Sequence, residues 1–186
     1  MEMSRLTQTR RQRYIVFTGP SLGGKSTAAA LLVSWFRQKG LSAVHCSFET
    51  PMKHYLAMLL GRKLGTFKMD EPLSALLSKT CKDFLRLEAA HMRFNYGPNV
   101  MGNMLKERTK HWRHDPLFVV VDDGVSVLDC RALGDYFLIQ IVRDRQERVY
   151  PFMIPNADAH VRNDGTLEQL GAQIEKIGNI ILAEDI

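Results

Sequence analysis

The chain has 186 residues, 45% of them hydrophobic and 24% charged, with a formal net charge of +5 at pH 7. That length suits one domain with a buried core, and no apolar run approaches the ~18 residues that a membrane-spanning helix needs. The positive balance suits an anionic ligand but equally meets the first requirement for a nucleic-acid binder, so charge does not separate the two.

In chain order, residues 1–13 carry Arg5, Arg10, Arg11 and Arg13 without the apolar segment of a secretory signal, and read as a flexible basic arm ahead of a single domain over 14–186. Tyr14 to Thr18 is a short β-branched and aromatic run that predicts a buried strand. It leads into Gly-Pro-Ser-Leu-Gly-Gly-Lys-Ser-Thr at 19–27, which fits the phosphate-loop pattern G-x-x-x-x-G-K-[ST]. A helix over about 25–38 follows. In that context the backbone from Gly19 through Ser21, Leu22, Gly23 and Gly24 to Thr27 encloses a β-phosphate. Lys25 sets an ammonium against the β- and γ-oxygens, and Ser26 offers its hydroxyl to Mg²⁺. The expected ligand is a nucleoside triphosphate.

Leu41 to Phe48 predicts a second strand, and Pro51 starts a helix through Leu60. A long helical region is expected from Glu71 to Asn95, broken at Tyr96-Gly97-Pro98 and resumed from Asn99 to Trp112. Leu117 to Asp122 is continuously apolar until its last residue, as a parallel strand buried on both faces must be. A helical turn near Asp129 to Leu133 precedes a fourth strand at Tyr136 to Val142, a fifth at Ala159 to Arg162, and a closing helix from Thr166 to Ile177, where Thr166 and Gln169 fit a capping box. This alternation predicts an α/β, three-layer fold around a central parallel five-stranded sheet, with ligands at the carboxyl ends of the strands. A helical acceptor region over about 50–113 and a lid over about 143–155 are insertions in it.

Asp122 ends the third strand where such a protein places the carboxylate that holds Mg²⁺ or its water shell, with Asp123 in reserve. Ser26 and Asp122 are therefore the candidate metal pair. Lys82, Arg86 and Arg93 fall within roughly 40° of one another on one helix face, opposite Leu77, Phe84, Leu87 and Met92. That stripe is either a solvated face or the lining of a crevice for a substrate phosphate. Arg143 and Arg145 follow the fourth strand, where cations can close over a transferring group. The six histidines, His45 among them, show no triad or metal spacing and are assigned no role. Cys46, Cys81 and Cys130 are far apart and read as reduced structural thiols of a cytoplasmic protein, forming neither zinc site nor disulfide.

Together these parts resemble the phage-type deoxynucleoside monophosphate kinases of the P-loop nucleoside monophosphate kinase superfamily, from Tyr14 to about Ile177. Beyond the phosphate loop, the resemblance rests on Phe48-Glu49-Thr50-Pro51-Met52-Lys53, on Lys79 to Leu85 with Arg93 and Gly97-Pro98-Asn99-Val100, and on Val161 to Leu170. It implies ATP and Mg²⁺ as cofactors and a nucleoside monophosphate as acceptor, in the host cytoplasm if the chain is phage-encoded. It places Lys53, Arg86 and Arg93 near the acceptor, Arg143 near the transferring phosphates, and Asn163 and Asp164 at the base end of the donor site. Glu49 and Asn99, within the matching stretches, join the acceptor set. So do Lys82, standing where the family has Arg, and Arg131, the nearest substitute for an Arg the family carries soon after the strand-terminal Asp.

The expected reaction is transfer of the ATP γ-phosphoryl to the phosphate of a (deoxy)nucleoside monophosphate. The acceptor is already an anionic nucleophile, so no general base is needed, and Lys25, Arg143, Arg145 and Asp122 form the catalytic set. One alternative is a kinase acting on a hydroxyl of a nucleoside or of a modified base in DNA, with Glu49 or Asp123 as base. A second is a nucleotide-binding module without turnover. Nucleic acid is not the favoured partner, no membrane is expected, and a homodimer is left open.

Overall fold

A computed structural model of the chain describes residues 12–63, 70–74, 77–110, 112, 118–124, 126–143, 154 and 156–184, with the side chains of 73, 74, 77 and 78 excepted. Strands β1 (Arg13–Thr18), β2 (Ala43–Cys46), β5 (Phe118–Gly124), β6 (Tyr136–Val142) and β7 (Ala159–Arg162) form one sheet in the order β2-β5-β1-β6-β7. Every pairing in it is parallel. The helices are α1 (Lys25–Gln38), α2 (Thr50–Leu59), α3 (Cys81–Tyr96), α4 (Val100–Thr109), α5 (Val127–Ala132) and α6 (Leu167–Ala183). The α/β three-layer expectation therefore holds, with its five strands where the apolar runs placed them.

Alternation along each strand divides the core in two. Ile15, Phe17, Phe118, Val120, Ile139 and Ile141 face one layer with α1 and α6 residues such as Leu32, Phe36, Leu170 and Ile174. Tyr14, Val16, Val119, Val121 and Leu138 face the other, with Met52, Leu56, Leu85, Met101 and Leu105 from α2, α3 and α4. Phe36 stacks on Phe118 with ring centroids 4.1 Å apart; burying such a side chain contributes about 2–3 kcal/mol. On the opposite face the Tyr14 hydroxyl lies 2.6 Å from the Thr109 hydroxyl, tying α4 to the central strand. No helix among the described residues is long and apolar enough to cross a membrane.

Several boundaries differ from expectation: the closing helix α6 runs past Ile177 to Ala183, and two other differences change where named residues sit. Arg13 belongs to β1 rather than to an arm, and it donates to the Ile181 carbonyl at 2.9 Å. The helix expected from Glu71 begins only at Cys81, because an antiparallel pair, β3 (Pro72–Ser74) and β4 (Leu77–Thr80), comes first. The reason is local: Thr80 is extended, its hydroxyl accepts from the Asp83 amide and the Asp83 side chain accepts from the Thr80 amide, so a full capping box starts the helix there. Leu77 thus lies in a strand, and Leu87, expected on the core side, is 54% exposed. The inward face of α3 is made by Cys81 and Leu85, with Phe84, Ala89 and Met92 partly buried beside them.

Candidate functional site

The phosphate loop runs from the central strand into α1 at the carboxyl ends of the sheet. Gly19 presses so closely on β6 that a Cβ there would sit 2.4 Å from the Ile141 carbonyl oxygen. Gly24 has φ +95°, and a Cβ on it would lie 2.2 Å from Asn163 Nδ2, so glycine is required twice over. Leu22 takes a left-handed φ of 62° and is 85% exposed. The loop is braced from outside. Asn163 Nδ2 donates to the Gly23 carbonyl at 2.7 Å, and Arg143 Nη1 donates to the Leu22 carbonyl at 3.1 Å. Two residues that the sequence reading tied to nucleotide recognition thus touch the loop itself. Asp164 lies beyond, 3.9 Å from the Arg162 guanidinium at the turn into α6.

Lys25 Nζ donates to the carbonyls of Gly19 and Pro20 at 3.0 and 2.8 Å, which holds the ammonium over the loop mouth. Burial lowers its pKa, while the Asp122 and Asp123 carboxylates oppose that shift. The first turn of α1 has neither a side-chain cap nor an acidic residue, so the amides at its start are directed at the space the loop encloses.

Asp122 and Asp123 sit where β5 carries one more residue than β1: Val16 pairs with Val121, but Thr18 pairs with Gly124. Bulges of this kind re-aim side chains. Asp122 turns to the loop, with a hydrogen bond to the Ser26 side chain and its Oδ2 3.2 Å from His45 Nε2. Burial alone raises its pKa, but the hydrogen bonds to His45 and Ser26, with the charges of His45 and Lys53, more than offset this and leave it lowered. Asp123 turns the other way. Its Oδ2 accepts from the Ser47 hydroxyl at 2.6 Å and the Glu49 amide at 3.2 Å, and its Oδ1 from the Phe48 amide at 2.8 Å. Burial pushes its pKa up to about 6 against these bonds. The carboxylate held in reserve for the metal is thus a tether for the β2–α2 turn, which presents Glu49 and Lys53, ion-paired at 3.2 Å.

The cationic stripe on α3 divides. Lys82 and Arg86 are exposed and have no hydrogen bond or ion pair among the described residues. Arg93 is drawn to α5, where its Nη2 lies 2.6 Å from Asp129 Oδ2, a carboxylate 1% exposed that also accepts from the Gly102 amide. Arg131 is exposed on the same short helix, and Asn99 is the N-cap residue of α4 without a side-chain cap bond. Arg145, and nearly all of the expected lid after Arg143, lie outside the described residues.

The sequence reading missed His45, Ser47 and Asp129. Nothing local marks the first two. The third had a signal, since Ser126 and Asp129 have cap spacing and the Ser126 hydroxyl accepts from the Asp129 amide.

The residues present fit Mg²⁺ and a nucleoside triphosphate: uncapped helix-start amides and a half-buried ammonium for phosphate oxygens, and a hydroxyl beside a lowered carboxylate for a hard cation that keeps several waters. A scan against protein-family models finds no match. A search of curated proteins finds none either. Among solved structures, the chain is similar to the APS kinase CysC of Mycobacterium tuberculosis, in a Cys-to-Ala mutant, at 18% identity over 92% of this chain and 98% of that one, with a TM-score of 0.51. It is similar to TT1252 of Thermus thermophilus at 18% identity over 94% and 98% of the two chains, with a TM-score of 0.50. At this identity the likeness is one of fold: the five-stranded parallel sheet with its flanking helices is an architecture shared with a solved APS kinase.

Proposed function

We propose that this chain is a phosphotransferase that moves the γ-phosphoryl of ATP, with Mg²⁺, to the phosphate of a (deoxy)nucleoside monophosphate. The observation that carries the reading is the divergence of two adjacent carboxylates at the end of β5. Asp122 reaches the phosphate loop through Ser26, and Asp123 holds the turn that launches α2 with Lys53. Two anion-binding regions therefore meet over one strand end, and the Lys53 charge acts on Asp122.

Bound Mg²⁺ supplies charge neutralisation on the phosphate oxygens. The protein's part is positioning. Lys25 and the amides at the start of α1 orient the donor phosphates, while Ser26 and Asp122 hold the cation. Arg143, already against the Leu22 carbonyl, brings a second positive charge to the loop mouth. Lys53, Arg86, Lys82, Arg93, Asn99 and Arg131 are assigned to the acceptor, and Lys82, Arg86 and Arg131 make no hydrogen bond or ion pair among the described residues. A hydroxyl acceptor fits less well, because both carboxylates that could take its proton are engaged: Glu49 with Lys53, and Asp123 with Ser47, Phe48 and Glu49.

Incubating labelled ATP with a panel of nucleoside monophosphates, nucleosides and DNA tests the reading. A nucleoside diphosphate product supports it. Transfer to nucleosides or DNA alone overturns the acceptor, and nucleotide binding without transfer to any of them leaves a binding module.

A further inference from the structure

His45 belongs to the edge strand β2, and the parallel register of β2 with β5 pairs it with Val120. Along β2, Ala43 faces the α1 layer while Val44 and Cys46 face the opposite one, so alternation turns His45 toward α1. Phe118 and Val120 face that layer too, and Asp122 is the next residue of β5 in the same phase. The imidazole therefore lies one step short of the carboxylate, with Nε2 3.2 Å from Asp122 Oδ2. The same carboxylate also interacts with the Ser26 side chain, at the start of α1. His45 is 35% exposed and Asp122 15% on their side chains, so the ring covers a carboxylate that is mostly out of water.

Building on the phosphotransferase reading, we propose that His45 is a positioning residue. Its Nε2–H holds the Asp122 carboxylate in the orientation that faces Ser26, and so sets the affinity of the Ser26–Asp122 pair for Mg²⁺. A carboxylate on a strand end has two soft torsions, and Mg²⁺ demands near-ideal octahedral geometry. A donor on one oxygen restricts rotation and directs the other oxygen to the metal. Outer partners that orient a metal-binding group this way typically change metal affinity by 10–100-fold when removed. A neutral imidazole with its proton on Nε2 suffices, so the device does not depend on a charged histidine.

The test reads metal binding directly, by Mn²⁺ electron paramagnetic resonance in the presence of a non-hydrolysable ATP analogue, beside binding of the analogue in EDTA. His45→Leu is expected to weaken Mn²⁺ by about tenfold and to leave metal-free analogue binding unchanged. His45→Gln, whose amide can place an N–H where Nε2–H lies, should recover most of the loss. In an Asp122→Asn background, His45→Leu should cost nothing more. Unchanged Mn²⁺ affinity in His45→Leu, no recovery in His45→Gln, or an equal loss in the Asp122→Asn background overturns the proposal. Should His45→Leu fail to fold by circular dichroism, His45→Asn, with a shorter amide, takes its place under the same criteria. If the unaltered protein binds neither the analogue nor nucleotide-dependent Mn²⁺, the phosphotransferase reading itself fails, and this proposal with it.

Discussion

As donor and acceptor elements of the proposed phosphotransferase, the glycine-rich loop and the cationic face of α3 would bind anions by opposite means. The loop is built of backbone: its glycines press against Ile141 and Asn163, its carbonyls hold Lys25, and Asn163 and Arg143 brace it from other elements. The α3 face is built of long side chains, with Lys82 and Arg86 exposed and one arginine, Arg93, locked to Asp129. Backbone sites tolerate almost no substitution because their geometry is the fold's geometry. Side-chain sites can re-aim, so their selectivity rests on a few anchors.

Four substitutions and one chemical test sharpen this contrast. Lys25→Ala should leave the thermal transition in place and lower turnover on the order of 10²-fold or more, since it removes one preorganised electrostatic group; near-normal turnover would break the donor assignment. Asp129→Ala leaves the Arg93 guanidinium unpaired and should cost about 2 kcal/mol, below the 3–5 of a fully buried pair because Arg93 keeps part of its side chain in water. Denaturant unfolding checks it, and replacing both partners by apolar residues should recover part of the loss. Gly24→Ala meets both the positive φ and Asn163. Strain of roughly 1–3 kcal/mol should weaken ATP binding by about tenfold or more with little change in acceptor binding, as calorimetry can show.

Arg86→Ala should be neutral for stability, within about 0.5 kcal/mol, and should raise the Michaelis constant for the acceptor but not for ATP. Equal changes in both constants would remove α3 from the acceptor site. The smallest effect concerns thiols. Burial pushes Cys46 up to about 11 and Cys130 up to about 12, so neither holds appreciable thiolate near pH 8 in the folded protein. Alkylation by iodoacetamide should be slow until denaturant is added, and fast labelling of the native protein would show that the layer containing α2 to α5 opens readily.

Periodicity and one eight-residue motif were enough to place the five strands, the phosphate loop and the end of β5, because a parallel strand buried on both faces is apolar throughout and a phosphate loop must spell out its glycines, lysine and serine. The start of α3 was misplaced although its signal was present: Thr80 and Asp83 form a capping box that a continuous helical reading of Glu71 to Asn95 passed over. Helical phase put Arg86 and Arg93 on one face but could not say that Asp129 would claim only the second.

Local sequence by itself determined the chemistry on offer at the strand ends: a glycine-rich turn whose backbone must curl, an ammonium, a hydroxyl and two successive carboxylates. The tertiary structure decided how these are shared out. Strand order sets β2 beside β5, bringing His45 to Asp122 across 77 residues of chain, and one extra residue in β5 beside β1 accompanies the parting of Asp122 toward α1 from Asp123 toward α2. Such meetings depend on which strands become neighbours, and that is settled by packing two apolar layers onto one sheet, a requirement no local pattern records.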